Sequence, residues 1–439
     1  MATILLITVG GSPAPILTAI QSLQPDRAIF ICSDGPRGSL SQIIGEGTPC
    51  EIRRGAEVDR QPNIPTQLNL GDRFNSETDL VRLDNPDDLA ECYRRIAAKI
   101  KALQQENPSN ELYADYTGGT KTMSLSLGMA ALDYGVALYL TTNATRENLI
   151  RVERGKSTER APTTLLTVER ILNQDLPRFL QGFNYSGAIA TLQTLLQSLE
   201  LPADQKRHIR QLRDIYAGFD AWDRFDHLVA WDLLSMHMGQ VQTHGLALKR
   251  VLNSRQSIEP NFQAPAVIPG HGYELVEDLL LNAQRRAHQQ RYDDAVGRLY
   301  RALELLAQIR LKQTYGLETG DLDVAKLPET LRDTYEADRN PRTPKVQIGL
   351  LKSYLLLGEL PNDPLGQHFQ PQANRIQDAL QTRNYSLLAH GFTPITHRDY
   401  QSSGQAIQTF IETALDILIP AKQRKPLPQF PTDALNFEL

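Results

Sequence analysis

The chain has 439 residues, enough for about three domains of ordinary size, and 41% of them are hydrophobic, so ordinary cores can be buried. Its formal net charge is −5 and its pI is near 6.0. That excludes a surface adapted throughout to polyanions, and any nucleic-acid contact would need a local basic patch.

Cys32, Cys50 and Cys92 have neither metal-ligand nor disulfide spacing, which points to a reducing cytoplasm. The apolar start of the chain lacks a basic leader and a cleavage site, so it is expected to be a buried strand rather than a targeting segment. No apolar run approaches the roughly 18 residues that a membrane-spanning helix needs. The nine histidines are scattered without zinc-ligand spacing, and no metal site is expected.

Residues 1–160 alternate strand-like and helix-like segments. Strands are predicted over 3–9, 28–32, 111–116 and 136–141. Helices are predicted over 14–23, 86–104 and 122–134. Residues 55–80 give no firm assignment. Continuous apolar strands between helices imply a doubly wound, mostly parallel, Rossmann-like α/β sheet. Ligands of such sheets sit outside the carboxyl ends of the strands. Two polar loops fall there: 8–13, with Gly10, Gly11 and Ser12, and 117–123, with Thr117, Gly118, Gly119, Thr120 and Lys121. Glycines allow close approach to the backbone, and each loop opens a helix whose free N–H groups can receive a phosphate. The same glycines also suit plain strand-to-helix turns. Neither loop has the Walker A or the Gly-x-Gly-x-x-Gly pattern.

Asp115-Tyr116-Thr117-Gly118-Gly119-Thr120-Lys121-Thr122-Met123, with Gly10-Gly11-Ser12-Pro13 in the first loop, resembles the signature of CRISPR-associated Rossmann-fold (CARF) domains. These are dimeric sensors of cyclic oligoadenylates made by type III CRISPR complexes. The resemblance implies ligand contacts from Gly10, Gly11, Ser12, Thr117, Gly118, Gly119, Thr120 and Lys121, with Met123 packed beneath. Asp34 and Asn143, at other strand ends, are weaker candidates.

From residue 165 onward apolar residues recur at helical spacing. Residues 161–255 are expected to form an all-α connector, with helices over 165–172, 185–199, 203–216 and 225–236. Here His227, His237 and His244 have no partnering spacing. Residues 253–272, rich in Pro, Gly, Asn and Gln, suggest a linker. Residues 256–439 are expected to form a second all-α domain, with helices over 273–290, 292–315, 346–357, 372–390 and 406–418, and an extended Pro-rich tail from 420. Arg332, Arg339, Arg342 and Lys345 lie in a polar stretch that either lines an RNA path or forms a solvated surface.

Arg383 and His390 stand seven residues apart, which on a helix places them on one face about 10 Å apart. Gly391 and Pro394 would stop that helix after His390. Arginine can clamp a phosphate, histidine can move a proton near neutral pH, and Asn384 adds a neutral donor and acceptor. Such a set suits phosphodiester chemistry in RNA, although a solvated arginine and a helix-terminal histidine would look the same.

Arg383-Asn384, six intervening residues in all and then His390 resemble the active-site motif of HEPN ribonucleases, and Arg291 to Leu306 resembles the first long helix of that domain. HEPN domains are helical bundles that dimerise and build one cleft from two copies of the motif. Glu304 either orients the catalytic arginine or makes an intrahelical pair with Arg301 worth about 0.3 kcal/mol. Together the two resemblances imply a cytoplasmic homodimer that cleaves single-stranded RNA without a metal or other cofactor. Cyclic oligoadenylate would be its allosteric activator, with neither DNA nor membrane as a partner. Two other readings remain at this point. One is a non-catalytic nucleotide-sensing module that regulates a partner. The other is a CARF domain that also degrades its own ligand.

Overall fold

Ile4 to Ile7 are apolar without alternation, so β1 (Thr3–Thr8) must be covered on both faces. In the computed structural model it is. The structure describes residues 1–36, 38–45, 47–54, 57–142, 157–198 and 201–434. They fall into two units, Met1–Glu169 and Arg170–Leu439.

In the first unit, β1 is followed by α1 (Ala14–Leu23), β2 (Arg27–Ser33), α2 (Ser41–Ile44) and the hairpin β3 (Cys50–Arg54)–β4 (Glu57–Gln61). Next come α3 (Ile64–Gln67), β5 (Leu80–Leu83), α4 (Leu89–Glu106), β6 (Glu111–Asp115), α5 (Lys121–Asp133), β7 (Ala137–Thr142) and β8 (Ser157–Arg160). The main sheet has the order β5-β2-β1-β6-β7-β8, parallel except for β8 against β7. Ile4 and Leu6 face Ile96 and Ile100 of α4 and Leu127 of α5, while Leu5 and Ile7 face Ile16 and Ile20 of α1. The doubly wound expectation is borne out. The hairpin, β5 and β8 were not foreseen. β5 is four residues long with Arg82 exposed, and β8 is Ser-Thr-Glu-Arg, so neither carries a strand-like apolar pattern. The predicted start of α4 at residue 86 moves to Leu89, because Asp88 is the N-cap and accepts from the Glu91 N–H at 3.0 Å.

Chain order runs outward from β1 through β2 to β5, then returns to β6 on the other side of β1. This makes the carboxyl ends of β1 and β6 the switch point of the sheet, where two loops diverge and leave a crevice.

The helical part starts with α6 (Thr164–Arg170), a π turn (Ile171–Asp175) and α7 (Leu176–Gln181). It continues through α8 (Tyr185–Ser198), α9 (Ala203–Asp223), α10 (His227–Ser235), α11 (Met238–Ile258), α12 (Glu274–His288) and α13 (Tyr292–Tyr315). It ends with α14 (Glu329–Glu336), α15 (Leu350–Glu359), α16 (Pro364–Phe369), α17 (Ala373–Asn384), α18 (His397–Asp399) and α19 (Gln405–Leu418). Leu299, Leu303 and Leu306 of α13 share a core with Tyr354, Phe369, Ile376, Phe410 and Ile411, and the Tyr354 hydroxyl donates to the Leu303 carbonyl at 2.9 Å.

One expectation fails here and another is incomplete, for one reason: local polarity concealed burial. The linker predicted from 253 begins only after Ile258. α11 continues because Val251, Leu252 and Ser254 are buried, and the Ser254 hydroxyl donates to the Gly272 carbonyl at 2.7 Å. The tail from 420 is extended as expected, but it is also a buried strap. Phe430, 3% exposed, lies against the rings of Tyr185, Phe219 and Trp222. The Arg285 guanidinium sits 3.7 Å from the Phe430 ring centre and donates to Gln429 at 2.6 Å.

Candidate functional site

At the switch point the two predicted loops meet. A Cβ on Gly10 would lie 2.7 Å from the Gly119 nitrogen, and one on Gly118 would overlap the Thr8 carbonyl oxygen. These two glycines are therefore required by the closeness of the two backbones. Gly119 needs glycine for another reason, a φ of +83°. Thr8 ties the loops by donating from its hydroxyl to the Gly118 carbonyl at 2.7 Å. Thr120 caps α5 by accepting from the Met123 N–H at 3.2 Å, and its hydroxyl donates to the Pro86 carbonyl at 2.8 Å. Thr117 accepts from the Thr141 N–H at 2.7 Å. These two threonine side chains are engaged in holding the loops. The groups on offer to a ligand are exposed Gly11, Ser12 and Lys121 and the half-buried Gly118–Gly119 backbone.

Asp115, which sequence reasoning missed as a supporting residue, lies beneath this crevice. It is fully buried, accepts from the Thr117 N–H at 2.9 Å and from the Thr141 hydroxyl at 3.0 Å, and burial pushes its carboxyl above the usual range. A carboxyl group that begins the loop motif was the available signal. Met123 is buried under the loop, where its side chain abuts Gly119. Asp34 is exposed just after β2 and accepts from the Gly35 N–H at 2.7 Å. Asn143 lies outside the described residues.

In the helical unit the sequence expectation of one long helix through His390 is corrected. α17 ends at Asn384, and residues 385–393 form a tight loop. Gly391 turns it: a Cβ there would overlap the Tyr385 carbonyl. The Leu387 N–H donates to the Thr393 carbonyl at 3.1 Å, closing the loop at its base. Leu387 and Leu388 are exposed, so no apolar face holds this stretch helical. The loop still brings the motif together by another route. The His390 N–H donates to the Asn384 carbonyl at 3.2 Å, and Arg383 donates to the Asn384 side-chain oxygen at 3.4 Å. Arg383 lies with its guanidinium 4.5 Å from the ring centre of Tyr300 on α13. His390 and Asn384 are exposed.

Glu304 is bonded elsewhere, accepting from Arg301 at 2.6 Å, the intrahelical pair of the two readings left open. Tyr300 therefore occupies the orienting position that sequence reasoning offered to Glu304. Its place one residue before Arg301 gave no signal, because a ring under a guanidinium is a tertiary contact. In the polar stretch, Arg332 donates to the Leu327 carbonyl at 3.0 Å, Arg339 pairs with Glu336, and Lys345 lies 3.7 Å from Asp321. His227 bonds Asp278 at 3.0 Å and His244 bonds the Gln429 carbonyl at 3.0 Å. Among the described residues no group of three His, Cys, Asp or Glu side chains is arranged to hold a metal ion, and no helix is long and apolar enough to cross a membrane.

Residues 266–414, which contain α12, α13 and the whole Arg383–His390 loop, match the family described as the Csm6 HEPN domain. The whole chain superposes on Csm6 of Enterococcus italicus, solved bound to cyclic hexa-2′-fluoro-hexa-dAMP, with a TM-score of 0.56 at 12% identity, covering 96% of each chain. Comparison with curated proteins returns no significant match. The likeness to the Csm6 structure is one of fold, a Rossmann-like sheet unit followed by a helical region.

Proposed function

We propose that this chain is a cytoplasmic endoribonuclease of type III CRISPR defence, active as a homodimer and switched on by a cyclic oligoadenylate. The observation that carries the reading is the loop within the HEPN region. In it the His390 N–H bonds the Asn384 carbonyl and the Arg383 guanidinium bonds the Asn384 side chain, with the histidine exposed and the guanidinium laid on Tyr300. RNA supplies its own nucleophile. An imidazole takes the proton of the 2′-hydroxyl, the 2′-oxygen attacks phosphorus, and the bond to the 5′-oxygen breaks as that oxygen is protonated. Arg383 stabilises the charge that develops on the phosphoryl oxygens. The products are a 2′,3′-cyclic phosphate and a 5′-hydroxyl, no metal is needed, and DNA is inert. Two copies of the motif supply one cleft, so that acid and base come from different subunits.

The activator would bind at the switch-point crevice, with its phosphates on Lys121, Ser12 and the glycine backbones. The fit of that crevice to a phosphate-bearing ligand supports this. A ring ligand with internal symmetry suits a site made by two such crevices across a dyad.

The test is cleavage of labelled single-stranded RNA with each ring size of cyclic oligoadenylate, in EDTA, followed by end-group analysis. Arg383→Ala and His390→Ala are expected to lose about 10²–10⁴-fold in rate while still binding the activator. Lys121→Glu is expected to lose activator binding. Loss of cleavage in chelator, or a 5′-phosphate end, would replace this site with a metal-dependent one.

A further inference from the structure

α13 holds the Arg383–His390 loop at a second point besides Tyr300. Asp293 stands in the first turn of that helix, and its Oδ2 accepts from the Ile395 N–H at 2.9 Å. An acidic side chain in a first helical turn suits the helix dipole wherever it points, so its presence alone means little. Its use here is specific: it takes a backbone N–H 102 residues further along the chain.

The groups around this bond show what it fixes. Ile395 is 6% exposed and packs into the core that α13 shares with α17 and α19. The next N–H, that of Thr396, is taken by Asp399 at 3.0 Å in a capping box. The Tyr292 ring, beside Asp293, lies 5.4 Å from the His397 ring and 5.5 Å from that of Tyr400. The exit of the loop is thus tied to the start of α13. Its entry is tied to the same helix by Arg383 on Tyr300. Asp293 and Tyr300 share one face, roughly 10 Å apart along the axis. His390 lies between the two anchors in sequence. The loop adds little packing of its own, since Tyr385, Leu387, Leu388 and Phe392 are all exposed.

A second observation concerns the other oxygen of Asp293. Oδ1 is buried and has no partner among the described residues. A buried carboxylate oxygen without a donor is a cost to the fold, so stability alone does not account for a carboxylate in this place.

Resting on the nuclease reading, we propose that Asp293 is a positioning residue for RNA cleavage: by holding the Ile395 N–H it sets where His390 stands relative to Arg383. It touches neither the substrate nor the reacting atoms. A group that moves a proton must stand within hydrogen-bond reach of its target, and a displacement of about 1 Å can cost about a hundredfold in rate. Slack at Ile395 passes to His390, five residues earlier, through the backbone that joins them. The bond therefore bears on kcat rather than on RNA affinity.

The test compares Asp293→Ala with Asp293→Asn in the full-length protein. The amide oxygen of asparagine can still accept from the Ile395 N–H, and alanine cannot. Cleavage of single-stranded RNA is measured at saturating cyclic oligoadenylate and across a range of pH. Asp293→Ala should lose about tenfold to a hundredfold in kcat, with KM within about twofold of the wild type. Asp293→Asn should recover most of the rate with an unchanged pH profile, because the bond and not the charge acts. Hydrogen exchange read by mass spectrometry should quicken over residues 385–397 in the alanine variant alone, with α13 itself unchanged.

A wild-type kcat in Asp293→Ala would overturn the assignment. So would an Asp293→Asn as slow as the alanine variant or with a shifted pH profile, since either makes the charge the active feature. Faster exchange throughout α13 would also overturn it, in favour of a general loss of stability. A wild type that cuts no RNA with any ring size would instead overturn the nuclease reading, and the exchange comparison would still decide whether Asp293 holds the loop.

Discussion

Arg383 is the residue on which the proposed chemistry turns, and its position depends on Tyr300. A guanidinium over an aromatic face gains about 0.5–2 kcal/mol, depending on how well the pair is desolvated. In a half-exposed setting the larger effect is on orientation: the ring fixes the plane in which Arg383 presents its donors. Tyr300→Leu should therefore lower kcat for activated RNA cleavage by roughly threefold to thirtyfold, with a smaller change in KM, following the conversion of about 1.36 kcal/mol per tenfold. Tyr300→Phe keeps the ring and should retain most of the rate. Steady-state kinetics on both variants would check this, and a phenylalanine variant as impaired as leucine would point to the hydroxyl instead. Glu304→Gln should matter less, since that carboxylate is bonded to Arg301 rather than to the motif.

At the scale of elements, α13 was legible to the residue, Tyr292–Tyr315, because its apolar stripe and the Gly316 cap act locally. The parallel strands β1 and β2 were legible because burial on both faces leaves their interiors without a polar position. α17 was misread because Leu387 and Leu388 continue its apolar content in sequence while their side chains are exposed. The motif nevertheless survives that correction, since the loop returns His390 to Asn384 through the backbone. The crevice glycines could be located from sequence, but not the reason for them: Gly10 and Gly118 are small because each faces the other loop's backbone. The strap shows the opposite error, a polar, Pro-rich composition around one anchoring ring. Phe430→Ala should destabilise the helical unit by about 3–5 kcal/mol, the usual cost of truncating a buried aromatic. Arg285 and Gln429 would also lose the geometry that holds them. Denaturant unfolding of the full-length protein, following the transition of the helical unit, measures this. A cost below about 1 kcal/mol would mean that the strap docks without contributing to stability.

At the scale of the whole molecule, the apolar surface of the 385–393 loop supports the proposed second copy. Tyr385 is 72% exposed, Leu387 58%, Leu388 65% and Phe392 92%, all within ten residues that also contain Arg383 and His390. Scattered exposed leucines are ordinary, but large apolar side chains crowded onto one loop are what the proposed dimer contact would cover. If the cover is the same loop of a partner related by a two-fold axis, the contact is self-complementary and carries two motifs into one cleft. Burying a leucine or phenylalanine is worth about 1.5–3 kcal/mol, and a two-fold contact repeats each contribution. Leu388→Asp combined with Phe392→Asp should therefore shift the protein from dimer toward monomer by several kcal/mol. The fold should be unchanged, because both side chains already face water, and RNA cleavage should fall with the dimer fraction. Sedimentation across a concentration series, run beside activated cleavage, reads both quantities. Activity that follows the dimer fraction fixes the composite site, whereas a monomeric variant cleaving at the wild-type rate would show that each loop is complete on its own.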